Sequence, residues 1–216
     1  MNPVAAGGNA DTDRRGRLID AARLLFSERP YEKVTTTEIA RTADVAYGLI
    51  AHHFDNKRGL YLAVMKQIAA EITANHQKPP RGDTPLEQLH SALVEHITYI
   101  DRHASGFLAI MRGGLGADPD LRKLVDETRW AGALRVLHAT GVTNPPATLR
   151  AALRGWVGYL DELMVDRIEN RDLAITTLAD LAAAALTATL QKVTTLDPHT
   201  GIDPAITKAI APTTRR

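Results

Sequence analysis

The residues best suited to chemistry lie between 35 and 60. Three consecutive hydroxyls, Thr35, Thr36 and Thr37, come first, and Tyr47-Gly48-Leu49-Ile50-Ala51-His52-His53 and Lys57 follow. The spacing predicts a short helix, a tight turn at Ala43-Asp44-Val45, and a second short helix with polar tips. A lysine then opens a third helix. Such an arrangement sets one helix into a major groove and braces its neighbours on phosphates. Hydroxyls, helix N-termini and a lysine ammonium are good phosphate ligands, whereas base edges are read from within the groove.

Other chemistry is less well supported. Eight histidines raise the question of a metal or an enzyme. His52 and His53 are adjacent, so on a helix they point about 100° apart, which predicts no shared ion. Glu87-x-x-His90 has the spacing of a carboxylate-bridged di-metal helix, but that site needs a second copy, and the chain has no other Glu-x-x-His. Asp161 and Glu162 are neighbours on a helix and diverge. Gly113-Gly114-Leu115-Gly116 follows a helix, not the strand that a phosphate-cradling loop requires. The chain is therefore expected to be no enzyme and to hold no metal and no cofactor. With zero cysteines it has no disulfide and no thiolate ligand.

These residues need helices to position them, and composition and periodicity predict helices throughout. Of 216 residues, 44% are hydrophobic and 24% charged, as in a globular domain. The N-terminus lacks an apolar run behind a basic start, and Leu178–Leu190 is too short and too polar to span a bilayer, so a soluble cytoplasmic protein without membrane contact is expected. The formal net charge is +1, so DNA affinity has to come from local charge placement.

A tail over 1–13 precedes a helix from about Arg14, with Leu18, Ala21, Ala22, Leu25 and Phe26 on one face. Thr35 with Glu38 predicts a capping box. A helix from Lys57 to about His76 follows, then the linker Lys78–Asp83. Thr84 caps a helix with Pro85 at its first position. Further helices are expected over Gly106–Met111, Asp118–Thr140, Asn144–Ile168 and Arg171–Val193, with a flexible tail over 195–216. The fold class is all-α. A helix-turn-helix domain occupies 14–60, and a larger helical ligand-binding and dimerisation domain occupies 61–194.

The order and spacing of Arg17-Leu18-Ile19-Asp20-Ala21-Ala22-Arg23-Leu24-Leu25-Phe26, Thr35-Thr36, Ile39-Ala40, Ala43, Val45, Gly48, His53-Phe54, Lys57 and Leu60 resemble the tetracycline-repressor (TetR) family. The resemblance covers about the first quarter of the chain. It implies a homodimer that binds double-stranded, palindromic operator DNA and releases it when a small molecule enters the C-terminal domain. It also implies that Thr36 and Thr37 touch phosphates, that Tyr47, Gly48, Leu49, His52 and His53 meet the major groove, and that Lys57 holds the backbone. Three positions depart from the family pattern. Ala46 stands where serine or threonine is common, Ala51 where an aromatic is common, and Asp44 where glycine is usual. Arg14, Arg15 and Arg17 either extend the DNA contact or are simply solvated.

In the C-terminal part, His96, Tyr99 and His103 flank a Leu89/Leu93/Ile97/Ile100 stripe. Phe107, Met111, Trp130, Trp156 and Met164 add aromatic and soft apolar surface. They read either as core and interface or as an apolar effector pocket with a few polar anchors. Trp156 and Met164 would line that pocket, and Tyr99 or His96 would bond the ligand. The last two helices are expected to pair with a second copy, through the stripe Leu149, Leu153, Trp156 or Val157, Leu160 and Met164, and through the face with Leu178, Leu181, Ala182, Ala185, Leu186 and Thr189.

Overall fold

A computed structural model of the chain describes residues 6–75, 79–112 and 118–209. Among these residues the regular elements are helices only: α1 (Ala6–Glu28), a 3₁₀ turn (Tyr31–Lys33), α2 (Thr36–Thr42), α3 (Gly48–Phe54), α4 (Lys57–Asn75), α5 (Pro85–Arg102), α6 (Ala104–Arg112), α7 (Pro119–Ala139), α8 (Ala147–Asn170), α9 (Ile175–Leu196) and α10 (Pro204–Ala209). The glycines expected to end α6, Gly113 and Gly114, and the start of the linker at Lys78 lie outside the described residues.

Contacts gather the chain into two compact units, Met1–Glu71 with Ala104–Val125, and Ile72–His103 with Asp126–Arg216. In the first unit, α1 packs on α2, α3 and α6. Leu18, Ala22, Phe26, Ile39, Ile50 and Leu60 are buried side chains of this unit, and at about 25 cal/mol per Å² this burial is what holds such short helices in place. Phe26, Tyr31 and Tyr61 form an aromatic cluster with ring centroids 4.9–5.7 Å apart. Burial pushes the Tyr61 phenol up to about 12. The first unit runs past residue 60 to Glu71, because Tyr61 and the rest of that part of α4 pack with it.

The second unit packs α9 against α5 and α8. α5 begins as expected. Thr84 accepts from the Glu87 amide at 3.3 Å, and Glu87 Oε2 accepts from the Thr84 amide at 3.0 Å, with Pro85 in the first turn. This reciprocal cap is the role of the glutamate in Glu87-x-x-His90, and His90 pairs with Asp180 at 3.1 Å.

The structure differs from the sequence expectations at both ends. Residues 6–13 belong to α1 and are not a tail; the Asp13–Arg17 pair at 3.4 Å and the approach of Asp11 to His53 tie this first part of the helix down. Residues 195–209 are not a loose tail either. Thr200 and Ile202 are buried, the Asp203 amide donates to the Thr140 carbonyl at 2.9 Å, and α10 packs on α5 and α9. Gly141, at φ 76°, makes the turn that offers that carbonyl. Both additions rest on tertiary contacts that periodicity does not reveal.

Candidate nucleic-acid interface

Thr35 caps α2 by accepting from the Glu38 amide at 3.2 Å. The Glu38 carboxylate accepts from Arg29 at 2.8 Å, and this bond, with a smaller contribution from the Thr35 backbone amide, holds it below the usual carboxylate range. Thr36 donates to the Tyr47 hydroxyl at 3.3 Å. Two hydroxyls from the starts of α2 and α3 therefore meet, eleven residues apart. Thr37 is exposed beside them.

α3 buries only Ile50 and Phe54, one turn apart. Its other face presents Gly48, Ala51 and His52, and Tyr47, just ahead of it, is 60% exposed. A Cβ at Gly48 would meet nothing within 4 Å, so the fold does not demand glycine there. Its absent side chain leaves room for close approach from outside. Leu49 is half-buried.

Arg17 positions the turn between α2 and α3. Its Nη1 donates to the Asp44 carbonyl at 3.2 Å and lies 3.8 Å from the Asp44 carboxylate. Asp44 sits at φ 52°, in the left-handed region, which accounts for a preference for glycine at this place. Arg17 was legible as a basic residue, but its part in fixing the turn was not. The Arg15 guanidinium lies 5.1 Å over the Phe54 ring, and Arg14 is exposed.

Gly59 fixes how α4 leaves α3. A Cβ there would lie 2.0 Å from the Phe54 carbonyl oxygen, and the Gly59 amide donates to Asn56 Oδ1 at 3.0 Å. Asp55 reverses the chain at φ 65°.

Two expected reading residues are placed otherwise. The His53 side chain is 7% exposed and directed at Asp11, 3.4 Å away. Lys57 folds back onto Tyr31, its Nζ donating to the carbonyl at 2.5 Å and lying 4.1 Å over the ring. Burial lowers its pKa. Arg58, with no earlier role, makes a forked pair with Asp118 at 2.5 and 2.9 Å and reaches Asp120 at 2.6 Å. Asp118 in turn caps α7 through the Asp120 and Leu121 amides.

Of the residues expected to line an effector pocket, His96, Tyr99, His103, Trp130, Trp156 and Met164 belong to the second unit. Trp156 is buried with its Nε1 donating to the Ala182 carbonyl at 2.9 Å, and Met164 is buried on the same helix. Their stripe on α8 is intrachain core. His103 stacks on Tyr99 at 4.2 Å and its Nδ1 lies 2.8 Å from the Tyr99 carbonyl at the end of α5. His96 is half-buried on α5. Phe107 and Met111 belong to α6, in the first unit. Trp130 borders a cavity of about 110 Å³, with Asp126, Arg129, Ala133, Arg154, Val157 and Gly158. Arg154 covers the Trp130 ring at 5.3 Å. Arg129 Nε donates to Asp161 at 2.7 Å, yet burial outweighs this pair and raises the Asp161 carboxyl to about 6.

The family model described as bacterial regulatory proteins, tetR family, matches residues 18–64. The model of a tetracyclin repressor-like C-terminal domain matches residues 85–193, just over half of the chain. The chain is 30% identical over 119 residues to the HTH-type transcriptional repressor KstR of Rhodococcus jostii (strain RHA1), across 55% of this chain and 56% of that protein. It is 28% identical over 123 residues to the HTH-type transcriptional activator FasR of Mycolicibacterium smegmatis, across 54% of this chain and 56% of that protein. The matches thus span just over half the length of these relatives. A tetR-family transcriptional regulator from Streptomyces coelicolor superposes with a TM-score of 0.78 at 26% identity, covering 92% of this chain and 88% of that one.

Proposed function

Because this chain belongs to the tetR family of bacterial regulatory proteins, we propose that it is a dimeric, effector-responsive repressor of transcription that reads a pseudo-palindromic operator. The observation that carries this reading is the division of α3, with Ile50 and Phe54 buried and Tyr47, Gly48, Ala51 and His52 turned outward. The outward face enters the major groove. His52 bonds a base edge, Leu49 and Ala51 offer methyl contact to thymine, and Gly48 admits the duplex closely. Thr36, Thr37 and the Tyr47 hydroxyl take phosphates. Lys57 reaches a phosphate only by releasing the Tyr31 carbonyl, so it contributes less than the hydroxyls. His53 braces α3 from behind.

Dimerisation is assigned to the outward faces of α8 and α9. Gly155 has open space around it, Tyr159 and Leu181 are exposed, and Ala184 and Ala188 are small. Two such faces allow close helix packing and set half-sites roughly 34–36 Å apart or further. The effector enters the second unit, and Trp130 borders its entry. The existing cavity is smaller than the ~300 Å³ of ordinary ligand sites, so binding widens it and biases a conformational equilibrium by about 1–3 kcal/mol. Among the described residues no helix is long and apolar enough to cross a membrane, and a place in the cytoplasm with the DNA fits this reading. No catalytic step belongs to it.

Selection of duplexes from a random library by the purified, tag-free protein tests the proposal. It should enrich one sequence with two inverted half-sites. Failure to enrich any sequence contradicts it and favours a helical ligand-binding protein without specific DNA recognition.

A further inference from the structure

The start of α1 and the end of α3 bring together three groups with metal-ligand chemistry. Asp11, His52 and His53 each offer one ligand atom, and these atoms all lie within 4.8 Å of one another. The Asp11 Oδ1 to His53 Nε2 distance is 3.4 Å. Metal bonds of about 2.0–2.1 Å at a tetrahedral angle place neighbouring ligand atoms roughly 3.3 Å apart, so this edge is already set. The two imidazole rings lie edge to face with centroids 4.8 Å apart. The His52 side chain is exposed, and rotation of its ring would bring it onto the third vertex.

A second observation points to a ligand. His53 Nε2 is buried and has no hydrogen-bond partner, although its side chain is only 7% exposed and aimed at Asp11. The Asp11 carboxylate lies 3.4 Å from it, and coordination to a shared ion would satisfy both. Adjacent histidines diverge at Cβ, which argued against a shared ion. The third ligand, arriving from α1, lies where their rings converge again.

We propose that Asp11, His52 and His53 form a site for a divalent, zinc-type transition-metal ion that clamps the first turns of α1 onto the recognition helix. Two imidazoles and one carboxylate suit such an ion and leave a position for water. The site stands on geometry alone. One consequence rests on the DNA-reading role of His52: an ion on its ring nitrogen withdraws it from the base edge, so metal and operator binding oppose each other. Linkage makes that opposition reciprocal.

The test uses full-length, tag-free protein stripped with a chelator. Calorimetric titration with ZnCl₂, and Co²⁺ followed by its visible absorption, should give one ion per chain. Asp11→Ala and His52→Ala, both at positions outside the core, should each weaken Zn²⁺ at least tenfold with unchanged circular dichroism, while His90→Ala should leave it unchanged. Binding that survives both first variants, or that His90→Ala abolishes, overturns the site. Anisotropy of a selected operator with and without ZnCl₂ then reads the consequence. Weaker binding with the ion is expected, and equal binding alongside confirmed Zn²⁺ affinity overturns the opposition while leaving the site and the DNA reading intact.

Discussion

α3 and α8 divide their surfaces between fold and partner in opposite ways. α3 is seven residues long and gives the core two side chains, one turn apart. Its remaining face carries an imidazole and a bare glycine, with the Tyr47 hydroxyl just ahead of it. α8 is 24 residues long and gives the core seven side chains. Its outward face is small and weakly apolar at Gly155 and Tyr159. A polar strip on a short helix suits a polar polymer, and a small-residue strip on a long helix suits a second helix. The glycines make the same point. Gly48, Gly155 and Gly158 have open space around them, whereas Gly59 is closed in by the Phe54 carbonyl. The fold demands glycine at the last position and leaves the first three free of that demand.

The largest effect should separate the two regions by pH. The Asp161 carboxyl is raised to about 6 from 3.8, so the folded state holds its proton more tightly than the unfolded chain. Its contribution to stability is complete below about pH 4 and is lost as pH rises through 6. The loss is about 3 kcal/mol at 1.36 kcal/mol per unit. Urea unfolding of Asp161→Asn against the parent should show a gap that grows by about that much from pH 4 to pH 7. A constant gap would remove burial as the dominant cause. The reading strip should show no such dependence on Asp161.

Next in size, Gly59→Ala should destabilise the fold by about 1–3 kcal/mol, the cost of forcing atoms into a filled space. Gly155→Ala should leave unfolding of the chain nearly unchanged and act instead on the monomer–dimer equilibrium. If both variants lose the same stability, the contrast between closed and open glycines fails.

A smaller effect belongs to Asp44→Gly. Relief of the left-handed backbone should add about 1 kcal/mol of stability, and removal of a carboxylate near the phosphates should tighten DNA binding in low salt. Arg17 keeps its bond, because it binds the Asp44 carbonyl. Looser DNA binding by this variant would show that the Asp44 side chain makes a contact of its own.

Much of this arrangement was legible in the sequence, and the exceptions have a common physical cause. Thr35, Thr84 and Pro85 mark helix starts because capping is local, and the buried stripes of α1 and α8 follow helical periodicity. The inward turn of His53, the fold-back of Lys57 onto Tyr31 and the packing of residues 200–209 are contacts between distant segments. No spacing rule encodes them. Trp156 looked like a ligand residue because tryptophan suits pockets and cores equally. Its bond to the Ala182 carbonyl decides for the core, and only coordinates reveal it.

The central claim is that the outward face of α3 reads base sequence. Its most direct test is the ratio of affinities for the selected operator and a scrambled duplex, measured by anisotropy in the presence of a chelator for the parent and His52→Ala. The ratio should fall by about tenfold, within the ~1–3 kcal/mol expected of one base contact, with thermal stability unchanged. An unchanged ratio in a folded His52→Ala protein would contradict the claim.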